Sequence, residues 1–276
     1  MNKTDNIFVS MCKDIILNGV SSNGEVIRAK WKDGTPAHTI KKFAVVNRYN
    51  LAKEFPILTL RPTNWKAALD EILWIWQQQS NNINDLNSHI WDNWADENGS
   101  IGKAYGYQLG IKHEYKEGWF NQVDRVLYDL KNNPYSRRII VNMYNHSDLH
   151  DMNLYPCAYN ITFNVTGNKL NAILNQRSQD VLIANNWNVC QYALLVLMFA
   201  KVSNLEIGEL VHIIADAHIY NLHVPFVDEL IQRESYPAPT LYINKHIKDF
   251  YKFTVDDFIL VDYQTGNQIK NIPIAI

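Results

Sequence analysis

One cysteine of this chain lies where a nucleophile could work. Cys157 follows a proline in the stretch NLYPCAYN (residues 153–160), among tyrosines and asparagines and directly before a predicted strand. A reactive cysteine must reach its thiolate form, which needs a nearby positive charge. A lone cysteine is more often a small, buried and inert side chain. The local sequence therefore makes Cys157 a candidate nucleophile without deciding the matter.

Two further segments bring cationic and hydrogen-bonding groups together. In NQRSQD, at the predicted end of a strand, a guanidinium, a hydroxyl and a carboxylate lie within four residues. They belong to Arg177, Ser178 and Asp180. Arg137 and Arg138 form a guanidinium pair suited to phosphate oxygens. A solvated strand end and a surface charge run would look much the same. Because the sequence has no G-x-G-x-x-G motif and no P-loop, arginines would have to bind any phosphate.

The segment DAHIY predicts a strand face with three hydrogen-bonding side chains. Asp216, His218 and Tyr220 alternate with apolar residues, so they point to the same side of a strand. Such a set suits the recognition of hydroxyl groups. A metal site is less favoured, because His223 has the opposite parity and no second ligand lies at a suitable spacing.

A carboxylate and a group of aromatic residues could complete a binding cleft. Glu71 lies inside the apolar segment LDEILWIW. Burial would raise its pKa and make it a proton shuttle, whereas a position at the helix edge would leave it ordinary. The segment HIWDNWADENGSIGKAYGYQ supplies rings that could stack on a flat heterocycle or simply pack in the core. These rings belong to Trp91, Trp94, Tyr105 and Tyr107.

The elements that must position these residues follow from the hydrophobic periodicity. Helical spacing predicts helices over 5–19, 65–80, 121–134 and 188–204. The last of these is apolar nearly all round, so it should lie at the centre of the protein. Runs of branched and aromatic residues predict strands within 137–144, 159–176 and 208–220, with TGNK as a hairpin turn. Because helices and antiparallel-looking strands mix without regular β-α-β alternation, we predict an α+β fold.

Composition narrows the class of protein. The chain has 276 residues, 47% of them hydrophobic, and no linker or repeat divides it, so we predict a single domain, 1–276. The net charge of −2 indicates no basic surface for nucleic acid. Three distant cysteines predict reduced thiols in a cytoplasmic protein, not a disulfide framework or zinc site. The N-terminus does not resemble a signal peptide, and the apolar run 192–200 is too short for a membrane span.

The motifs, taken in order, resemble the folate-dependent thymidylate synthase family. The resemblance runs almost end to end, through RAKWKDGTPAHT, AALDEILWIW, IWDNWADENGSIGKAYGYQ, NQVDRVLYDLKNNPYSRRIIV, MNLYPC, QRSQD, NWN, ADAHIY and the terminal PIAI. It implies a thymidylate synthase-like α+β fold: a mixed or antiparallel sheet packed against helices, one of them buried and central. It also implies that one sheet face forms the interface of a homodimer.

The same resemblance implies a reaction and a set of site residues. The reaction is methylation of deoxyuridylate (dUMP) to thymidylate (dTMP) by 5,10-methylenetetrahydrofolate, through a Cys157 adduct at uracil C6. The implied catalytic residues are Cys157, Glu71, Arg177, Tyr105, Asn188 and Asp180. The implied dUMP site comprises Arg28, Arg137, Arg138, Arg177, Ser178, Gln179, Asp180, Asn188, His218, Ile219 and Tyr220. The implied folate site comprises Asn64, Ile90, Trp91, Trp94, Asp180, Ala184 and Ala275. No metal is implied.

Within this implied site the resemblance gives particular roles. Arg177 would favour the Cys157 thiolate and hold phosphate. Asn188 would read the O4/N3 edge of uracil, and Glu71 and Tyr105 would manage proton transfers through water. His218 and Tyr220 would hold the 3′-hydroxyl, and Arg28 would join Arg177 on the phosphate. Arg137 and Arg138 would come from the other subunit, and the terminal IAI would close over the folate.

Several departures from the family pattern fall mainly on the folate side. Ala158 follows the nucleophile where the family usually has His, and Asn64 also replaces a His. Ala184, Asn186 and Trp187 replace Gly, Pro and Phe, and Ala215 replaces Gly. The nucleotide side is nearly intact. The resemblance therefore predicts the dUMP site more firmly than the geometry of the folate site.

Three functions remain open from the sequence. The first is thymidylate synthase. The second is a deoxyuridylate 5-hydroxymethylase, in which water instead of hydride quenches the exocyclic methylene. Trp91 and Leu154, which would exclude water, favour the first. The third is a catalytically silent binding protein, for instance for RNA, and Cys157 and the lack of basic excess argue against it.

Overall fold

The computed structural model describes residues 2–275. Ile276, the last residue of the expected closing segment, lies outside the described residues, as does Met1. The helices are α1 (Lys3–Asn18), α2 (Trp65–Trp76), α3 (Gly106–Gly110), α4 (Gln122–Asn132), α5 (Asn185–Val202) and α6 (Val224–Leu230). The strands are β1 (Val20–Ser21), β2 (Thr39–Asn50), β3 (His113–Tyr115), β4 (Gly118–Phe120), β5 (Ile140–Asn142), β6 (Ala158–Thr166), β7 (Lys169–Gln176), β8 (Gln179–Asp180), β9 (Glu206–Tyr220), β10 (Thr240–Ile243) and β11 (Phe258–Val261).

The main sheet is mixed, as expected for this α+β fold. Its order is β1-β2-β9-β7-β6-β5, and β8 is added along β9. β7 and β8 run parallel to β9, whereas the other neighbours are antiparallel. The end of β7 therefore lies beside the second half of β9, with Gln176 paired to Ile214 and Asp180 to His218. This edge of the sheet is where the candidate site forms.

Helix α5 is the predicted central helix. Its residues 192–200 are all buried, and it packs against α2, β7 and β9. A helix that is apolar on every side can satisfy its side chains only when other elements surround it. The first two turns of α5 line the cleft and carry polar side chains into it. The remaining turns pack in the core.

The element boundaries differ from the sequence predictions at three places. α2 ends at Trp76, not near 80, and Gln79 adopts a φ of +53°, which a continuing helix does not allow. Of the segment 137–144, only Ile140–Asn142 forms a strand. The sequence analysis did not predict β2, which is twelve residues long. Ala44, with a φ of +58°, interrupts both its alternation of side chains and its pairing with β9.

The described residues contain neither a membrane-spanning helix nor a cluster of metal ligands. Across residues 2–275 no helix combines the length and apolar character needed to cross a membrane. Within that same part of the chain, no group of three or more His, Cys, Asp or Glu side chains could hold a metal ion.

Candidate active site

A cleft of about 330 Å³ gathers most of the predicted site residues, although they come from distant parts of the sequence. A cleft of this size is at the lower end of those that hold small organic ligands. The predicted residues that line it are Arg28, Glu71, Trp91, Trp94, Tyr105, Cys157, Arg177, Ser178, Gln179, Asp180, Ala184, Asn188, His218, Tyr220 and Ala275. The ends of β7 and β9, the start of α5, and α2 form its walls.

Cys157 lies immediately before the first residue of β6 and is half-buried in the wall of the cleft. Its backbone N–H donates to the Tyr105 hydroxyl at 2.9 Å, and its carbonyl accepts from the Arg177 backbone at 3.0 Å. Burial raises the pKa of the Cys157 thiol above its ordinary value, and the guanidiniums of Arg177 and Arg28 lower it by less. The effect of Arg177 thus has the expected sign, but the thiol is protonated at neutral pH in this form because desolvation is the larger effect.

The guanidinium of Arg177 fixes the loop that carries the cysteine. Its Nε donates to the Pro156 carbonyl at 3.1 Å and its Nη2 to the Tyr155 carbonyl at 2.8 Å. The same Nη2 lies 3.6 Å from Cys157 Sγ. These contacts leave Nη1 without a partner among the described residues. One side chain therefore both orients the sulfur and keeps a donor free for an anion.

Tyr105 occupies a strained position beside Cys157. Its φ and ψ are 43° and −102°, a conformation that residues with a side chain rarely adopt. The next residue, Gly106, makes the close approach possible, because a Cβ there would lie 2.2 Å from the Ser80 carbonyl oxygen. The Tyr105 ring packs edge-on against Trp91, with centroids 5.3 Å apart. The strain points to a position that the surrounding structure imposes, with the hydroxyl held on the Cys157 backbone.

Glu71 is buried and receives three N–H donors. Trp91 Nε1 donates to Oε1 at 2.8 Å, Trp187 Nε1 donates to Oε2 at 2.6 Å, and Gln191 Nε2 donates to Oε2 at 2.7 Å. Burial raises the pKa of Glu71 to about 7, although the three donors, Trp187 foremost, stabilise the carboxylate and lower it. A carboxyl group with this pKa can both accept and release a proton near neutral pH.

Replacing Trp187 with Phe should move the titration of Glu71 upward by about one pH unit. The indole donates a charge-assisted hydrogen bond to the carboxylate, worth roughly 1.5–3 kcal/mol, and its loss disfavours the charged form. The carboxylate infrared band of Glu71, assigned by difference from a Glu71→Gln protein, measures the midpoint. Trp94→Phe is the control, since Trp94 lies in the same cleft but does not contact Glu71. An unchanged midpoint in Trp187→Phe would contradict this account.

The predicted face of β9 forms the opposite wall. His218 Nδ1 lies 2.7 Å from Asp216 Oδ1, and because a carboxylate only accepts, Nδ1 carries the hydrogen. Its Nε2 makes no hydrogen bond to any residue from 2 to 275. Tyr220 packs edge-on against the His218 ring, and burial raises the pKa of its phenol to about 12, so it stays protonated. This wall therefore presents an acceptor and a hydroxyl, in agreement with the strand-face prediction.

Asp180 and Asn186 shape the loop before α5. Asp180 Oδ1 accepts from the backbone N–H groups of Leu182 and Ile183, which leaves Oδ2 without a partner among residues 2–275. Asn186, where the family pattern has proline, accepts from Leu58 N and Thr63 Oγ1, both at 2.7 Å. The departure at Asn186 is thus compensated by buried hydrogen bonds that tie α5 to a neighbouring segment.

Five of the implied site residues do not line the cleft. Asn64 caps α2, where its side chain accepts from Ala67 N. Ile90 lies on the surface, and the side chain of Ile219 is buried in the core on the opposite face of β9. Arg137 and Arg138 are exposed, and neither guanidinium has an ion pair or hydrogen bond within the described chain.

Sequence reasoning missed two buried amides of the site. Gln176, the last residue of β7, and Gln191, in the second turn of α5, both line the cleft and are 3% and 2% exposed. Each makes a hydrogen bond to Asn188. A signal was present in the sequence, because Gln191 lies three residues after Asn188 inside an otherwise apolar helix.

Known proteins resemble this chain over its whole length. The family model described as thymidylate synthase matches residues 6–275. The thymidylate synthases of Bacillus subtilis subsp. natto and of Bacillus phage phi3T are each 44% identical to it over 274 residues, covering 98% of both chains. The solved structure of thermostable thymidylate synthase A from Bacillus subtilis superposes with a TM-score of 0.96 at 42% identity, covering 100% of both chains. The fold, the cleft and these matches agree, and the chain belongs to the thymidylate synthase family of methyltransferases.

Proposed function

We propose that this enzyme methylates dUMP to dTMP with 5,10-methylenetetrahydrofolate and releases dihydrofolate. The observation that carries the proposal is that Cys157 and Asn188 line one cleft with the guanidinium of Arg177 beside the sulfur. A thiol that can add to a ring carbon and an amide that can pair with a pyrimidine edge are the two groups this chemistry needs.

In the proposed reaction Cys157 forms the first bond to the substrate and is released in the last step. Its sulfur bonds to C6 of uracil, the C5–C6 electron pair makes C5 nucleophilic, and C5 bonds to the one-carbon unit. Loss of the C5 proton then expels the folate nitrogen from the one-carbon unit and leaves an exocyclic methylene at C5. Addition of hydride to this methylene re-forms the C5–C6 double bond and expels the sulfur from C6. Glu71, with its pKa near 7, and the hydroxyl of Tyr105 are placed to move protons through water at the base.

The rest of the nucleotide has complementary groups along the same wall. Arg28, Arg177 and Ser178 offer donors for the phosphate, and His218 Nε2 and the Tyr220 hydroxyl face the position proposed for the deoxyribose. The carboxylate of Asp216 holds the His218 ring at 2.7 Å. The cleft thus offers cations for a phosphate, hydroxyl-binding groups for a sugar and an amide for a base.

The same cleft has groups that would suit the folate. Trp91 and Trp94 pack edge-on at 5.8 Å and, with Leu154 and Ile75, form an apolar wall for a flat pterin. Asp180 Oδ2 is the free acceptor for ring N–H groups, and the described C-terminal residue Ala275 lies at the same cleft. When bound there, the folate supplies both the one-carbon unit and the hydride.

We propose a homodimer that pairs through the outer face of the main sheet. The strand register places Val46, Ile140, Ile173 and Ile213 on one face, and the first three are 53%, 53% and 39% exposed. A row of exposed apolar residues across a sheet is typical of a face that another protein covers. In the dimer Arg137 and Arg138 would reach the phosphate site of the partner.

We also propose a cytoplasmic location. Cys12, Cys157 and Cys190 are all free, which suits a reducing compartment. Recovery of the protein in the cytosolic fraction of its cell would support this location, and an oxidised Cys157 in the native protein would contradict it.

The function is tested by identifying the products made from dUMP and methylenetetrahydrofolate. We expect dTMP and dihydrofolate in equal amounts, the latter followed by its ultraviolet absorbance. Tetrahydrofolate with 5-hydroxymethyl-deoxyuridylate would instead identify the hydroxymethylase. Binding of both ligands without turnover would identify a silent homologue and contradict the proposal.

A further inference from the structure

A line of buried hydrogen bonds connects Glu71 to the far side of Asn188. Gln191 Nε2 donates to Glu71 Oε2 at 2.7 Å, and Gln191 Oε1 accepts from Asn188 Nδ2 at 3.0 Å. On the other side, Asn188 Oδ1 accepts from Gln176 Nε2 at 3.2 Å. Gln176 Oε1 lies 2.7 Å from Nε2 of His212, which is 0% exposed. We call these five residues, from Glu71 to His212, the amide relay.

The amide relay has a direction that two acceptors fix, the Glu71 carboxylate next to Gln191 and the Ser178 carbonyl next to Gln176. An ionised carboxylate only accepts hydrogen bonds, so Gln191 must turn its NH2 group toward Glu71. Its oxygen then faces Asn188 and requires the Asn188 NH2 group. The Asn188 oxygen in turn faces the Gln176 NH2 group, which also donates to the Ser178 carbonyl at 3.1 Å. Reversing one amide would bring two oxygens or two NH2 groups together in a buried site.

His212 completes the relay without opposing it. Burial lowers the pKa of His212 to about 3, so the ring is neutral and carries one hydrogen. Its Nδ1 has no partner among the described residues, and Nε2 faces the Gln176 oxygen. The tautomer with the hydrogen on Nε2 therefore satisfies Gln176. A neutral histidine can adopt either tautomer, so this end follows the direction that the carboxylate imposes.

We infer that Gln191 is a specificity-determining positioning residue, which transmits the direction imposed by Glu71 to the Asn188 amide and so makes the site select uracil over cytosine. The inference deepens the proposed function and rests on it. After the relay bonds, Asn188 keeps one oxygen lone pair and one N–H for a base. Uracil offers an N3–H donor and an O4 acceptor, which match an amide held in this direction. Cytosine offers an N3 acceptor and an N4 donor, which match only the reversed amide.

The test compares dUMP and deoxycytidylate binding in wild-type and Gln191→Met protein. Methionine keeps roughly the volume of Gln191 but cannot donate to Glu71 as the amide does. The Asn188 amide then loses one of its two restraints, and only the bond from Gln176 to the Ser178 carbonyl still opposes its reversal. We expect the ratio of the two dissociation constants, measured by quenching of tryptophan fluorescence, to fall by about tenfold or more, mainly because deoxycytidylate binds better. Gln191→Leu should behave alike if the methionine protein does not fold, as judged by thermal melting.

Tyr192→Phe is the matched control, because it removes a buried hydroxyl from the same wall of the cleft but leaves the amide relay intact. Its dUMP to deoxycytidylate ratio should equal that of the wild type. Unchanged ratios in the folded Gln191 variants would overturn the inference while leaving the proposed function standing. Wild-type protein that binds neither nucleotide, or binds both equally, would instead contradict the proposed function.

Discussion

Replacing Cys157 with Ser should abolish covalent capture of 5-fluorodeoxyuridylate and lower turnover by a factor on the order of 10⁴–10⁶, as loss of a nucleophile does in other enzymes. A hydroxyl ionises far less readily than a thiol and is the weaker nucleophile at neutral pH. The sulfur already has its orienting contacts, with Arg177 Nη2 at 3.6 Å and the Tyr105 hydroxyl on the adjacent backbone N–H. Mass spectrometry of the denatured protein, incubated with the nucleotide and the folate, measures the adduct.

The other two cysteines provide the control for this experiment. Cys12 and Cys190 are fully buried in the core, and burial raises the pKa of both thiols, so neither should react. Cys12→Ser should therefore keep the adduct at wild-type yield. An adduct that persists in Cys157→Ser would show that the nucleophile has been misassigned, and unchanged thermal melting would exclude loss of folding as the cause.

The second large effect concerns the phosphate site that we propose is shared between two subunits. Protein with both Arg137→Ala and Arg138→Ala should bind dUMP about 10²–10⁴-fold more weakly, because each charge-assisted contact contributes roughly 1.5–3 kcal/mol. Mixed with Cys157→Ser protein under conditions that exchange subunits, it should regain about a quarter of wild-type activity. About half of the dimers are then mixed, and each mixed dimer holds one complete site of two, since the interface is symmetric.

Lys116→Ala serves as the comparison for the arginine variant. Lys116 is exposed between β3 and β4, outside both the cleft and the sheet face of the proposed dimer. It should leave dUMP binding unchanged. If mixing the two inactive proteins restores no activity although subunits exchange, the arginines do not act across the interface. A fully active species with the mass of one chain would contradict the proposed dimer.

The residue after the nucleophile is Ala158, where the family usually has histidine. Ala158 lines the cleft and adds no polar atom to it. Hydrogen bonds around the pyrimidine must therefore come from Glu71, Asn188 and the two glutamines of the amide relay. Trp187, another departure from the family pattern, adds a donor to Glu71. In this chain the polar groups of the proposed base site are thus supplied by α2, α5 and the end of β7, not by the residue after Cys157.

The sequence alone was enough for the class of fold, the candidate nucleophile and most of the residues that line the cleft. Hydrophobic periodicity is a local property, so α1, α4, α5 and the β6–β7 hairpin were predictable from neighbouring residues. The motifs QRSQD and ADAHIY carry their groups within a few positions, and their strands present them together. β2 was missed because its lysines and asparagines obscure the alternation and Ala44 breaks it.

Only the tertiary structure decided how the site residues act on one another. Glu71 is bonded to Trp91, Trp187 and Gln191, which lie 20, 116 and 120 positions away in the chain, and no local pattern records such contacts. The balance that raises the pKa of Cys157 despite Arg177 depends on how completely the cleft excludes water. The direction of the Asn188 amide follows from the Glu71 carboxylate, two residues along the relay, and from the Ser178 carbonyl beside Gln176. Residue types determined which chemistry is possible, and burial together with long-range hydrogen bonding determined the protonation and orientation in which each group is held.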